Sequence, residues 1–171
     1  MATKSDFNKS LNIKTPAPKT LIRQRLKMVQ EPVPEYGLEP VHIKSSTDCA
    51  RILYSLFNQD TISYTEEFAI LGLNRANRVI LFAQISMGGI SGCVVDSKVV
   101  FAHAILSGCC SIILAHNHPS GNTQPSQADL DLTKKICKGA AALDMQVLDH
   151  IILTLDQNNY FSFADECLIG Q

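Results

Sequence analysis

Apolar positions along this chain change their spacing several times, and each change marks a new element. Ala50, Ile52, Leu53, Leu56 and Phe57 repeat at helical spacing behind the capping residues Ser45-Ser46-Thr47, which predicts a helix over 47–58. Glu66-Glu-Phe-Ala-Ile-Leu-Gly-Leu73 is a short apolar run entered through two carboxylates, and reads as a buried strand. Asn74-Arg-Ala-Asn77 supplies a turn and 79–85 a second strand, so the pair forms a hairpin, with Arg75 and Arg78 serving its turn. Met87-Gly-Gly-Ile-Ser-Gly92 is too rich in glycine for a helix and reads as a connector. A largely apolar helix runs from a cap at Asp96 or Ser97 to Leu106, holds His103 as a structural residue, and ends at Gly108. Ser111–Ala115 is a third buried strand. A helix over 126–143 follows, with Leu130, Ile136, Ala140 and Leu143 toward the core. Residues 146–155 make a strong strand, 156–159 a turn and 160–163 a short last strand; 39–43 is a further short strand.

Helices and strands are therefore interleaved, and two strand pairs are joined by hairpin-type turns. The expectation is an α/β (α+β) fold with a mixed, largely antiparallel sheet, not a doubly wound parallel one. With 171 residues and 46% hydrophobic content, the chain suits one domain with an ordinary core. Residues 1–35 stand apart. They are polar, broken by Pro16, Pro18, Pro32 and Pro34, and carry seven Lys/Arg against three acids. They read as a flexible basic leader before a domain at 36–171. The overall charge of −1 makes the molecule no obvious nucleic-acid or membrane binder. The leader, at +4, is nevertheless a candidate for weak contact with nucleic acid. No secretory leader is visible and no apolar run is long enough for a membrane span, so the expectation is a cytoplasmic chain. The six cysteines form no C-x-x-C pair, and reduced, mostly packed thiols are expected, Cys109-Cys110 included.

The chemistry gathers at Ala115–Asp129, AHNHPSGNTQPSQAD. His116 and His118 are two apart at the end of a strand and point the same way. Pro119, Gly121 and Pro125 force a loop, and Ser126 opens a helix with Asp129 on its first turn. Two imidazoles and a carboxylate suit a zinc ion, one per chain, with a fourth position left for water. Ser126-x-x-Asp129 is equally a helix-start pattern, which accounts for those two residues without metal but not for the two histidines. Glu66 and Glu67 sit at the mouth of a central strand, where one can face the metal and the other cannot. His150, in phase with Leu148 and Ile152, is read as a packed or supporting histidine and not as a ligand.

The spacing His116-x-His118, seven residues, Ser126, two residues, Asp129 resembles the JAMM (MPN+) metalloprotease pattern. His116-Asn-His-Pro-Ser-Gly-Asn122, Pro125-Ser126 and Leu148-Asp-His150 resemble its RadC branch. The resemblance runs from about 63 to 164. It implies a curved mixed sheet flanked by helices, with His116, His118 and Asp129 as zinc ligands. It also implies Ser126 as the oxyanion-assisting residue and Glu66 as the base, with Glu67 the runner-up. The implied activity is hydrolysis of a peptide or isopeptide bond in a peptide or protein substrate. A non-catalytic DNA-repair or mobile-element binding module with a zinc site is the alternative. Fuller RadC proteins carry an N-terminal region resembling a helix-hairpin-helix module, for which residues 1–35 are too short and too broken by proline. Oligomeric state is left open.

Overall fold

The computed structural model describes residues 41–89 and 92–170. The leader at 1–35, the first residues of the expected domain and part of the 87–92 connector lie outside the described residues. In chain order the elements are α1 (Ser46–Leu56), β1 (Glu67–Leu73), β2 (Val79–Met87), α2 (Ser97–Leu106), β3 (Ser111–Asn117), α3 (Gln127–Ala141), β4 (Gln146–Leu153) and β5 (Phe161–Ser162). The strands form one sheet in the order β2-β1-β3-β4-β5. All neighbours are antiparallel except β3 and β4, which α3 joins. That exception is physical: parallel neighbours need a long crossover, and α3 is the one on offer.

β1 and β3 occupy the middle of the sheet and are buried along their whole length. Their continuous apolar runs follow from having both faces covered. Ala69, Leu71 and Leu73 join Ile113, Ala115, Ile151 and Leu153 in packing against α1. Phe68 and Ile70 join Ile112, Leu114 and Val147 on the other face, beneath Val100 and Ala104 of α2 and Ile136 and Ala140 of α3. Each helix begins at the expected cap. Ser45 accepts from Asp48 N–H, Asp96 from Lys98 N–H, and Ser126 closes a reciprocal box with Asp129.

Several boundaries and exposures differ from the sequence reading. Leu143 lies beyond the end of α3, ahead of the left-handed turn at Asp144, and is exposed. Cys109 is buried but Cys110 is exposed, because neighbouring side chains point opposite ways as the chain enters β3. α2 is apolar all round yet buries only Val100 and Ala104, and His103 is exposed. β4 ends at Leu153, after which the Thr154 hydroxyl donates to the Asn159 carbonyl at 2.8 Å. β5 shrinks to two residues. Within the described part of 39–43 there is a single bridge from His42 to Arg78.

One irregularity matters for the site. Ile112 pairs with Val147 but Ile113 pairs with Asp149, which leaves Leu148 as an extra residue in β4. Leu148 packs on the α1 side, whereas His150 is bonded to Thr133 on the α3 side. Simple alternation had put Leu148 and His150 on one face.

Gly72 gives a test of this packing. A Cβ there would collide with the Cys109 sulfur and lie 3.0 Å from the Leu81 Cβ. Gly72→Ala is expected to destabilise the fold by about 1–3 kcal/mol through overpacking, read by thermal unfolding. An unchanged melting temperature would show that the Cys109 side of the core yields freely. Among the described residues no helix is long and apolar enough to cross a membrane.

Candidate metal centre

β3 delivers His116 at its buried end, and the chain leaves the sheet with His118 bonded through its backbone N–H to the Leu153 carbonyl. Gly121 takes the positive φ that closes the loop, its N–H donating to the His118 carbonyl at 3.0 Å. Asp129 returns on the first turn of α3. His116 Nε2 lies 2.9 Å from His118 Nε2, and Asp129 places Oδ1 3.3 Å from the former and Oδ2 3.7 Å from the latter. Bonds of 2.0–2.1 Å to a tetrahedral ion put neighbouring ligand atoms about 3.3 Å apart, and these distances bracket that value.

The outward nitrogens are also the right ones. His118 Nδ1 is 2.6 Å from the Asn122 carbonyl, which can only accept, so Nδ1 carries a proton and Nε2 is left for the site. His116 Nδ1 is engaged by His150 at 2.8 Å, and His150 Nδ1 by the Thr133 hydroxyl at 2.7 Å. Two imidazole nitrogens and a carboxylate converging this closely, with their far sides tied down, form a donor set that suits a divalent cation such as zinc.

The electrostatics agree with convergence. Burial lowers His116 to about 4, so it is neutral at pH 7. The neighbouring Asp129 carboxylate raises the His118 pKa against the opposing effect of burial. Burial pushes Asp129 up, but His118, His116 and the two bonds from Ser126 outweigh it and hold the carboxyl well below its usual range. Those bonds run from Ser126 N–H at 2.7 Å and Ser126 Oγ at 2.6 Å, both to Asp129 Oδ2. The capping role and the placing of Asp129 are therefore the same contacts.

The two glutamates separate cleanly. Glu67 is buried, its carboxylate accepting from Thr61 Oγ1 at 2.8 Å and Gln84 Nε2 at 2.9 Å. Glu66 continues the β1–β2 ladder through Gly88 and Gly89 and lies in phase with Phe68, which pairs with His116. Burial raises its pKa, His118 pulls it down, Asp129 pushes it up, and the Cys93 N–H bonds the carboxylate. Glu66 thus shares the electrostatic field of the convergent group; Glu67 does not face it.

Sequence reasoning passed over Asn117. Its side chain accepts from Glu67 N–H at 2.7 Å and donates to the Ile62 and Thr65 carbonyls at 2.7 and 2.8 Å. A polar residue inside an otherwise apolar strand needs partners, and that was its signal. Thr133 was missed as well; it is the polar member of the buried stripe Thr133, Ile136, Ala140 on α3. A pocket of about 220 Å³ on the α1 face is separate from this group. Its buried wall residue Asp149 is already held by Ser162 Oγ and Ala164 N–H.

A three-layer fold whose central strand ends in a His-His-Asp group able to hold a metal ion is the architecture of a candidate metal-centre domain. Residues 43–168 match the RadC-like JAB domain, and the chain belongs to that family. It is 50% identical over 101 residues to a UPF0758 protein of Flavobacterium johnsoniae, covering 59% of this chain and 43% of that one. A UPF0758 protein of Porphyromonas gingivalis is 40% identical over 104 residues, 61% of this chain and 45% of the relative. One from Fusobacterium nucleatum is 38% identical over 118 residues, 69% and 50% respectively. The chain spans about half the length of these curated bacterial relatives.

Proposed function

We propose that this domain is a zinc-dependent metallopeptidase that hydrolyses a peptide or isopeptide bond. The observation that carries the reading is the convergence of His116 Nε2, His118 Nε2 and the Asp129 carboxylate, with Glu66 in their field. Zinc held by those three residues would supply a Lewis acid and a water whose pKa falls to about 7. Glu66 takes the proton of the attacking water and passes it to the leaving amine. Its raised pKa suits that exchange, since a carboxyl nearer neutrality both accepts and donates at working pH. Ser126 is the assigned partner of the developing oxyanion. Its hydroxyl proton is committed to Asp129 at 2.6 Å, so that role requires the hydroxyl to turn from the carboxylate as negative charge grows on the substrate.

The test is chelation and restoration against a library of peptides and lysine isopeptides, read by mass spectrometry. Cleavage should vanish with the metal and return with zinc. Cleavage that survives chelation contradicts the proposal. Zinc affinity should also depend on pH in a defined direction. Protons compete for His118, whose pKa is raised by Asp129, so affinity weakens as pH falls below that raised pKa, about tenfold per unit while one proton competes. Affinity that is flat from pH 8 to 5 would remove His118 from the ligand set.

A further inference from the structure

We infer that Thr133 and His150 form a one-way hydrogen-bond chain that sets which nitrogen of His116 carries its proton. The inference rests on the metal reading above and names residues that act through a ligand instead of touching the metal. Thr133 Oγ1 lies 2.6 Å from the Asp129 backbone carbonyl, one helical turn earlier. A carbonyl has no proton to give, so the threonine hydroxyl must supply it. The same oxygen lies 2.7 Å from His150 Nδ1. Its only proton is already spent, so it can only accept there, and His150 must carry its proton on Nδ1. Neutral His150 then has a bare Nε2, which lies 2.8 Å from His116 Nδ1. That contact needs a proton from His116 Nδ1, which leaves His116 Nε2 bare toward His118 and Asp129.

The chain is sealed. His116 and His150 are 1% and 0% exposed and Thr133 is 2% exposed, so water cannot reverse a link. Phe68 stacks on His116 at 6.3 Å and Phe163 on His150 at 4.6 Å, which fixes both ring planes. Within the buried links direction is therefore decided at one hydroxyl, and at the open end His118 Nε2 is the group left to donate to His116 Nε2 in the metal-free protein. Without the Thr133 hydroxyl, His150 does better to place its proton on Nε2 and donate to His116, because an unpaired buried N–H is worse tolerated than an unpaired acceptor. His116 would then carry its proton on Nε2, at the position a metal needs. Supporting partners of metal-bound histidines are worth about ten- to a hundredfold in metal affinity.

The experiment compares wild type, Thr133→Val and Thr133→Ser, each as the full chain. Two quantities are read. Long-range proton–nitrogen correlation in the metal-free proteins identifies the protonated nitrogen of His116, and chelator competition gives zinc affinity. The expected result is Nδ1–H in wild type and in Thr133→Ser, and Nε2–H in Thr133→Val. Zinc affinity should fall about ten- to a hundredfold in the valine variant alone. A merely structural threonine would alter melting without moving the proton. Nε2–H in metal-free wild type, or a valine variant with the wild-type tautomer and affinity, overturns the inference. The wild-type tautomer is decisive even if the valine variant does not fold. Failure of wild type to bind any zinc would end the metal reading, while the tautomer measurement would still decide this one.

Discussion

Glu66→Gln should keep its zinc and lose hydrolysis by about a hundredfold or more, the usual scale for removing a positioned proton carrier. Glutamine has nearly the same shape, and Glu66 is only half-buried, so the fold should be untouched. Glu67→Gln should do the reverse. Both oxygens of Glu67 accept from donors, Thr61 Oγ1 and Gln84 Nε2, in a buried setting. An amide there has one acceptor oxygen for Gln84 Nε2 and obliges the Thr61 hydroxyl to turn to the Asn58 carbonyl and accept from the new N–H, at a cost of about 1–2 kcal/mol in stability, with hydrolysis retained in the folded fraction. The pair is read by zinc content, thermal unfolding and turnover on the same preparations. Retained turnover in Glu66→Gln with loss in Glu67→Gln would exchange the two assignments.

Asn117→Ala is expected to be the most damaging single change to the fold near the site. Its amide extends the β1–β3 ladder with a side chain where the backbone ladder stops, tying Glu67 N–H to the Ile62 and Thr65 carbonyls. Alanine strands three backbone groups, two of them buried and the Thr65 carbonyl partly so. At about 1 kcal/mol or more each, the loss is roughly 3 kcal/mol, or about 10 °C in melting temperature for a chain of this size. Asn117 also stands between His116 and His118 while its own side chain reaches to the entrance of β1. The residues it holds are the ones that carry Glu66 to the site. The variant should therefore lose turnover at temperatures where it is still folded. Melting within a degree or two of wild type would show that the β1 entrance is held by other contacts.

Much of this was legible in the sequence because the informative residues are local. The His-x-His strand end, the Pro-Ser-Gly turn and the Ser-x-x-Asp cap lie within fifteen positions, and each obeys a short-range rule. The elements were legible for the same reason: β1 and β3 are uninterrupted apolar runs, and the helix caps are the expected serines and aspartate. Long-range facts were not legible. The extra residue Leu148 is an outcome of pairing two distant strands, and nothing around it breaks the alternation. Without it, His150 cannot be placed facing Thr133. Likewise, α2 looks like a core helix from composition alone. How much of an apolar helix is covered is set by its neighbours, and here only Val100 and Ala104 are buried. Which of Glu66 and Glu67 lies in phase with His116 follows from the register of β1 on β3, which a single strand's pattern does not contain.

Elemental analysis decides whether His116, His118 and Asp129 hold zinc. Wild type and a His116→Ala/His118→Ala double variant are purified side by side, offered zinc at neutral pH and dialysed. Wild type should carry about one zinc per chain and the variant none. A wild type that holds no zinc, or a double variant that holds as much as wild type, would contradict a zinc site at these residues.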